Sequence, residues 1–446
     1  MIKITQNKSG CTGCGSCRSV CPMRCISMEQ DSEGFLYPII DDKKCVKCHK
    51  CEKSCPSIVQ GAVRKPLRTY AAKNPNKEIR YQSSSGGIFS LLAEQVISEG
   101  GVVFGVRFND VWEVVHRHAE TVEELSEFRG SKYVQSIVGD TYLQARGFLE
   151  EGRKVLYSGT PCQIAGLKAF LGKDYENFLT VDFVCHGVPS PLVWKKCLKE
   201  IISSLPSPPH THNAHNEINA NIFSILNIRF RDKIHGWNPI LVFSILLTTE
   251  NLMDIQRIIN IKFRNKKNGW KHYDFTVASD DNTILLAQDS NRNSFMRGFL
   301  RDLYLRPSCH NCPARSLKSG SDITIGDYWG IGNVLPEFDD DKGVSLVMVN
   351  TEKGSKAYGL LDKEDRETTY ADALVGNPSI EKSALPHKNR VLFFERLHKE
   401  PMTALIDKLV NDPMRAKLME STSVLLSRLW LLGFAKRLLG KRRAKK

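Results

Sequence analysis

CTGCGSCRSVCP (residues 11–22) and CVKCHKCEKSCP (residues 45–56) share one spacing, C-x2-C-x2-C-x3-C-P. Three thiolates two residues apart, on a loop that curls around an inorganic core, hold three corners of an iron–sulfur cube. The fourth, before a proline, reaches across to the other cube. Cys11, Cys14, Cys17 and Cys55 are therefore expected to hold one [4Fe–4S] cluster, and Cys45, Cys48, Cys51 and Cys21 the other. A zinc site or a disulfide framework is the alternative. Zinc sites use two separated cysteine pairs rather than three evenly spaced thiols and a Cys-Pro.

Over its first sixty residues the chain resembles bacterial dicluster ferredoxins. Between the two cysteine sets, ISMEQDSEGFLYPIID (residues 26–41) resembles the hairpin that links the cluster loops in that family. Cys25 fits no slot in the spacing and reads as a buried free thiol.

Working outward, 446 residues predict two or three domains, and a hydrophobic content of 41% permits a sizeable core. The opening MIKITQNKSG has no apolar run of a secretory leader, so fourteen cysteines predict a reduced, cytoplasmic setting rather than disulfides. The formal charge is +14, but KRLLGKRRAKK (residues 436–446) supplies seven of the cations. Each four-thiolate cluster would also add about −2. The body is thus only mildly basic, which argues against a nucleic-acid surface.

Residues 57–69 read as a linker. Beyond them strand and helix alternate. Strands are expected at Thr69–Lys73, Val102–Phe108, Val111–His118, Val155–Tyr157, Leu179–Val184 and Ile323–Gly326. Helices are expected at Gly87–Ser98, from Thr121, at Thr141–Glu151, from Cys162, and ending near Leu305. This alternation predicts an α/β domain whose site lies where strands end, as Cys162 and Cys185 do. Ser84, Ser85, Gly86 and Gly87 precede a helix, where free N–H groups could hold a phosphate or merely cap the helix.

NIRFRDKIHGW (residues 227–237) recurs as NIKFRNKKNGW (residues 260–270), with seven of eleven positions identical. The pair reads as a duplicated β element presenting Arg231 and Arg264. His210, His212 and His215 lie in a polar, proline-rich loop. Cys309 and Cys312 form a further C-x2-C. The last hundred residues read as helical. Their end, with Trp430 and Phe434, predicts either peripheral contact with an anionic membrane or a docked last helix.

YSGTPCQIAGL, DFVCHGV and CHNCPARSLKSGSDITIGDYWG together resemble the family of coenzyme F420 hydrogenase/dehydrogenase beta subunits, in its bacterial, polysaccharide-cluster-like type. SSSGGIFSLLAEQVISEGGVVFG and GSKYVQS resemble the N-terminal part of the same family's flavin domain. The resemblance implies a third [4Fe–4S] cluster on Cys162, Cys185, Cys309 and Cys312. It also implies FAD near Ser84–Gly87, Lys132, Tyr133, Ser158, Gly159 and Thr160. His186, beside Cys185, reads as a hydrogen bonder to cluster sulfur or a proton donor.

The expected architecture is α+β / α/β. A dicluster ferredoxin domain (1–60) precedes a mixed α/β flavin-binding domain, whose two parts are 65–150 and 151–350, and a helical tail (351–446). The expected activity is that of an oxidoreductase passing electrons between ferredoxin-type clusters and FAD. A redox partner protein, such as a ferredoxin or a catalytic subunit, and a small-molecule substrate are implied. A non-catalytic electron-transfer subunit and an F420-dependent reductase are the alternatives.

Overall fold

A computed structural model describes residues 8–204, 258–279 and 283–410. The first repeat copy, His210, His212, His215 and the basic tail lie outside the described residues, and so does the expected membrane contact. Among the described residues no helix is long and apolar enough to cross a membrane.

The N-terminal module holds two short helices, α1 (Ser16–Val20) and α2 (Lys50–Lys53), and the hairpin of β1 (Ile26–Gln30) with β2 (Leu36–Ile40). The hairpin lies where the spacer reading puts it.

The body is built on an eight-stranded mixed sheet. Its strands are β3 (Arg68–Lys73), β4 (Val102–Phe108), β5 (Val114–Ala119), β6 (Val155–Gly159), β7 (Phe178–Phe183), β11 (Ile323–Asp327), β12 (Ser345–Val349) and β13 (Glu364–Thr368). Their order is β13-β3-β12-β11-β7-β6-β4-β5. The four central neighbours β11, β7, β6 and β4 run parallel, flanked by antiparallel strands. The registers Gly159↔Asp182 and Ile325↔Phe183 bring the C-terminal ends of β6, β7 and β11 to one sheet edge. In open α/β sheets that edge is where sites form.

Alternation along the strands fills both faces. Val103 and Leu156 turn to the face covered by α4 (Ile88–Ser98), with Ile88, Leu92, Ala93 and Val96. Phe104 and Tyr157 turn to the other, against α5 (Thr141–Glu150) and α6 (Pro161–Leu171), with Ile164, Leu167 and Phe170. A third core joins α7 (Pro191–Ser204), the helix Met402–Val410 and an antiparallel sheet of β8 (Ile258–Asn265), β9 (Asp274–Ser279) and β10 (Ile284–Asp289).

Four local expectations are corrected. The strand expected from Val111 begins at Val114, because Asn109 Oδ1 accepts from the Val111 and Glu113 amides (3.1 and 2.9 Å) and holds a turn there. The helix expected from Thr121 is a 3₁₀ turn, Glu124–Phe128. The helix expected to reach Leu305 ends at Leu300, and Leu303, Tyr304 and Leu305 fold into the core. The C-terminal region is not wholly helical, since β13 pairs with β3 at the sheet edge.

Candidate functional site

Loop geometry at the first cysteine set depends on glycine. Gly13 (φ 69°) and Gly15 (φ 78°) take left-handed conformations that free the loop to curl between its thiols. Burial, with neighbouring Cys55 and Cys11 adding to it, pushes the Cys14 thiol up to about 12. Cys17 rises for the same reasons, with Cys14, Cys11 and Cys55 beside it. Cys55, from the second set, lies near enough to Cys14 and Cys17 to act on both. Thiols buried among thiols lose their protons readily only beside a cation, so this donor set suits a metal cluster.

Cys21, Cys45, Cys48 and Cys51 line a second cavity with Met23, Ile26, Val46 and Ile40. Cys25 lines it too, with its Sγ 3.4 Å from that of Cys21. It is buried, as expected, but as a fifth thiol at the site.

A third group forms at the sheet edge. Cys162 sits in the first turn of α6, Cys185 follows β7, and Cys309 and Cys312 flank the end of the 3₁₀ turn Pro307–Asn311. All four line one cavity with Thr12, Asp182 and Arg315. Burial drives the Cys162 thiol well above its ordinary value, and Cys312, Cys185 and Cys309 add to the rise. Cys185 is pushed up to about 12 by burial, against the pull of Arg315. The Val188 amide donates to Cys309 Sγ at 3.4 Å. Thr160 Oγ1 lies 3.2 Å from Cys162 Sγ. Among the described residues no three of His, Cys, Asp or Glu close around a single metal ion; the thiols line wider cavities.

Two arginines that the motifs did not reveal flank these thiols. Arg306 is fully buried. It donates to Cys11 O (2.7 Å), Leu36 O (2.8 Å) and Gln135 Oε1 (2.8 Å), and its Nη2 lies 3.7 Å from Cys11 Sγ. Its carbonyl accepts from the Cys309 amide at 2.9 Å. One residue thus touches both the first cysteine set and the Cys309 turn. Arg315 donates to the carbonyls of Cys185 and Ser379, and to His186 O at 3.0 Å. The His186 ring turns away to Asp302, Nε2 to Oδ1 at 2.6 Å. Asp182 is buried, accepts from Ser319 and Thr324 (both 2.5 Å), and is pushed up to about 6 by burial.

The residues expected near FAD fall into two groups. Around the serine-glycine turn, Ser84 accepts from Ser131 at 2.7 Å, linking the turn to Lys132 and Tyr133. Lys132 Nζ donates to Arg129 O and Gly130 O (3.2 and 3.4 Å), and burial lowers it to about 8. Tyr133 packs on Phe299, centroids 4.7 Å apart. Ser85 and Gly86 are held by the sheet. Ser85 Oγ donates to Val344 O (2.8 Å) and the Gly86 amide to Ser345 Oγ (3.0 Å). A Cβ on Gly86 would meet Ala72 O at 2.3 Å, so β3 requires glycine there. Gly87 (φ 86°) caps α4. At the start of α6, Ser158 Oγ donates to Phe104 O at 2.9 Å, Gly159 lies against Gln163, and Thr160 forms a capping box with Gln163.

The second repeat copy finds its partner in GDYWG. Arg264, on β8, pairs with Asp327 Oδ2, and Trp270 Nε1 donates to Asp327 Oδ1 at 3.1 Å. Trp270 stacks on Trp329 at 4.8 Å. The repeat thus anchors the small sheet to the end of β11. Arg231 lies outside the described residues. Cys197 is buried in the core.

Comparison with known proteins adds lineage. Residues 10–59 match the 4Fe-4S dicluster domain. Residues 69–140 match the N-terminal part, and residues 152–206 and 242–371 the C-terminal part, of the coenzyme F420 hydrogenase/dehydrogenase beta subunit. A component of the F(420)H(2) dehydrogenase of Methanosarcina mazei is 23% identical over 171 residues, 34% of this chain and 46% of that one. An uncharacterized protein of Methanocaldococcus jannaschii is 25% identical over 201 residues, 37% of this chain and 54% of its own. The chain thus spans about half the length of these curated relatives. A chain from the F420-reducing [NiFe] hydrogenase complex of Methanosarcina barkeri aligns over 75% of this chain and 93% of that one, at 16% identity and a TM-score of 0.41. The chain belongs to the family of coenzyme F420 hydrogenase/dehydrogenase beta subunits, with a 4Fe-4S dicluster domain at its front.

Proposed function

We propose that this chain is an iron–sulfur flavoprotein oxidoreductase of the cytoplasm. In this reading it carries three [4Fe–4S] clusters and an FAD and passes electrons between them. The observation that carries the reading is the meeting of Cys162, Cys185, Cys309 and Cys312 in one cavity that Thr12, beside Cys11, also lines. Four thiols from three separate elements, next to an arginine, form a donor set suited to a negatively charged cluster. Bound clusters would supply one-electron steps, and bound FAD the conversion to two-electron chemistry.

The chain's own residues have definable tasks. Arg306 and Arg315 hold positive charge against the thiolates and orient the Cys185 and Cys309 segments. Burial pushes up the Cys162, Cys185 and Cys309 thiols, so a bound cluster is what would hold them as thiolates. Burial disfavours the charged form of Lys132 and lowers it to about 8; beside a bound, negatively charged flavin its cationic form would be restored.

The test is anaerobic purification with iron, sulfide, zinc and flavin quantified together. About twelve iron and one FAD per chain is the expected result, falling to about eight iron in Cys162→Ser or Cys309→Ser. Eight iron in the native chain, unchanged by those variants, removes the third cluster. Zinc in place of iron removes the reading. Likeness to a component of a named dehydrogenase favours a second reading, an electron-transfer subunit of a larger complex, in which turnover appears only with a partner added. Use of F420 by this chain belongs to that reading.

A further inference from the structure

Of the fourteen cysteines, Cys48 alone is exposed. The remaining members of its set are half-buried or buried, and the first set is packed against the body: a Cβ on Gly166 of α6 would meet Cys14 Sγ at 2.8 Å. The second cysteine cavity is therefore the outward end of the thiol series and the Cys162 cavity the inward end.

The surface around Cys48 has a definite character. Met23 (46% exposed) and Val46 (60% exposed) line the rim of the cavity with His49 and Lys50. Arg24, Lys43 and Lys47 are exposed in the same segments: Arg24 between Met23 and Cys25, Lys47 between Val46 and Cys48, and Lys43 two residues before Cys45. The nearby acids are largely engaged: Asp41 with Lys44 at 3.2 Å and Glu52 with His49 at 3.0 Å. An apolar patch inside a cationic rim fits a transient protein contact, in which charge sets the encounter and a small dry centre sets the approach.

We infer that this face docks a small acidic protein carrying a one-electron iron–sulfur centre, its anionic rim meeting Arg24, Lys43, Lys47 and Lys50. The inference rests on the proposed function and names the partner of its outer cluster. One electron would pass from the partner's reduced centre to a cluster held by Cys21, Cys45, Cys48 and Cys51, with no bond formed or broken and no proton moved.

The experiment uses the full, cluster-loaded chain and an acidic dicluster ferredoxin reduced beforehand. Stopped-flow absorbance follows ferredoxin oxidation at low and high salt. Lys47→Glu/Lys50→Glu should slow second-order transfer at least tenfold at low salt, and the difference should shrink as salt rises. Arg24→Glu/Lys43→Glu, at separate positions on the same face, should act likewise. Reduction by dithionite at high salt, where the charge of this small anion is screened and no docking is needed, should be unchanged. Lys356→Glu/Lys382→Glu, exposed residues of the C-terminal region, are the charge-matched control and should leave the rate unaltered. Iron is measured in every variant, so that a slow rate counts only with full loading. Equal rates in fully loaded native and variant proteins, or an equal loss in the control, overturn the docking face while leaving the cluster assignment standing. A native chain without iron overturns both.

Discussion

Replacing Arg306 with methionine keeps the length of the side chain and removes its charge and donors. Three acceptors, Cys11 O, Leu36 O and Gln135 Oε1, then lose their partner at a site with no exposure. Each buried, unmatched acceptor costs about 1–3 kcal/mol, so the sum is about 3–9 kcal/mol. That is comparable with the whole net stability of a domain, about 5–15 kcal/mol. The loss falls on the seam between the dicluster module and the body, because Cys11 and Leu36 belong to the first and Gln135 to the second. The module should therefore loosen before the body unfolds. Limited proteolysis within the exposed connection at residues 58–65 should accelerate well over tenfold. Denaturant unfolding followed by cluster absorbance should shift to a lower midpoint. Arg306→Lys, which keeps charge but not the fork, should fall between. Native proteolysis rate and midpoint in Arg306→Met would refute the reasoning.

Acid should act through His116, which is 3% exposed and held at about 4 by burial. Its folded value lies below the ordinary 6.5, so the unfolded chain binds the proton first. The contribution, about 3 kcal/mol from 2–3 units at about 1.4 kcal/mol each, is complete above pH 6.5 and lost as pH falls toward 4. His116→Gln should flatten that part of a stability–pH curve; an unchanged slope contradicts it. Gly13→Ala places a methyl 2.7 Å from Arg306 Nη1 at a left-handed residue, and should lower iron content at the first set, measured colorimetrically. Trp270→Ala empties a fully buried site against Trp329 and should cost about 3–5 kcal/mol in thermal or denaturant unfolding.

The most local signals were the most legible. Val102–Phe108 and the helix up to Ser98 follow from runs of apolar residues whose periodicity needs no knowledge of neighbours. The crossed sharing of Cys55 is expected because short loops and a fixed inorganic geometry leave few arrangements, and in the fold Cys55 acts on Cys14 and Cys17. Arg306 was not, since nothing local separates it from an exposed arginine; its role comes from Cys11, Leu36 and Gln135, distant in sequence. Likewise β13, EDRET, has no apolar alternation, because as an edge strand it contributes ladder hydrogen bonds more than buried side chains. The repeat was visible as a repeat, but its bond to Asp327 required the third dimension. Ser85 and Gly86 have the composition of a phosphate turn, and their own groups instead serve Val344, Ser345 and Ala72.

Gly166 bears on packing and, were the thiols on either side of it to hold clusters, on speed. Electron tunnelling between centres weakens exponentially with the gap, so ångströms set speed where volts set direction. A missing methyl in the middle of α6 lets Cys14 press directly on the helix that begins with Cys162. Alanine would suit the helix better by about 1 kcal/mol. The chain forgoes that stability and keeps Cys14 close against α6; were clusters held at both the first set and the Cys162 cavity, that closeness would favour conductance over rigidity.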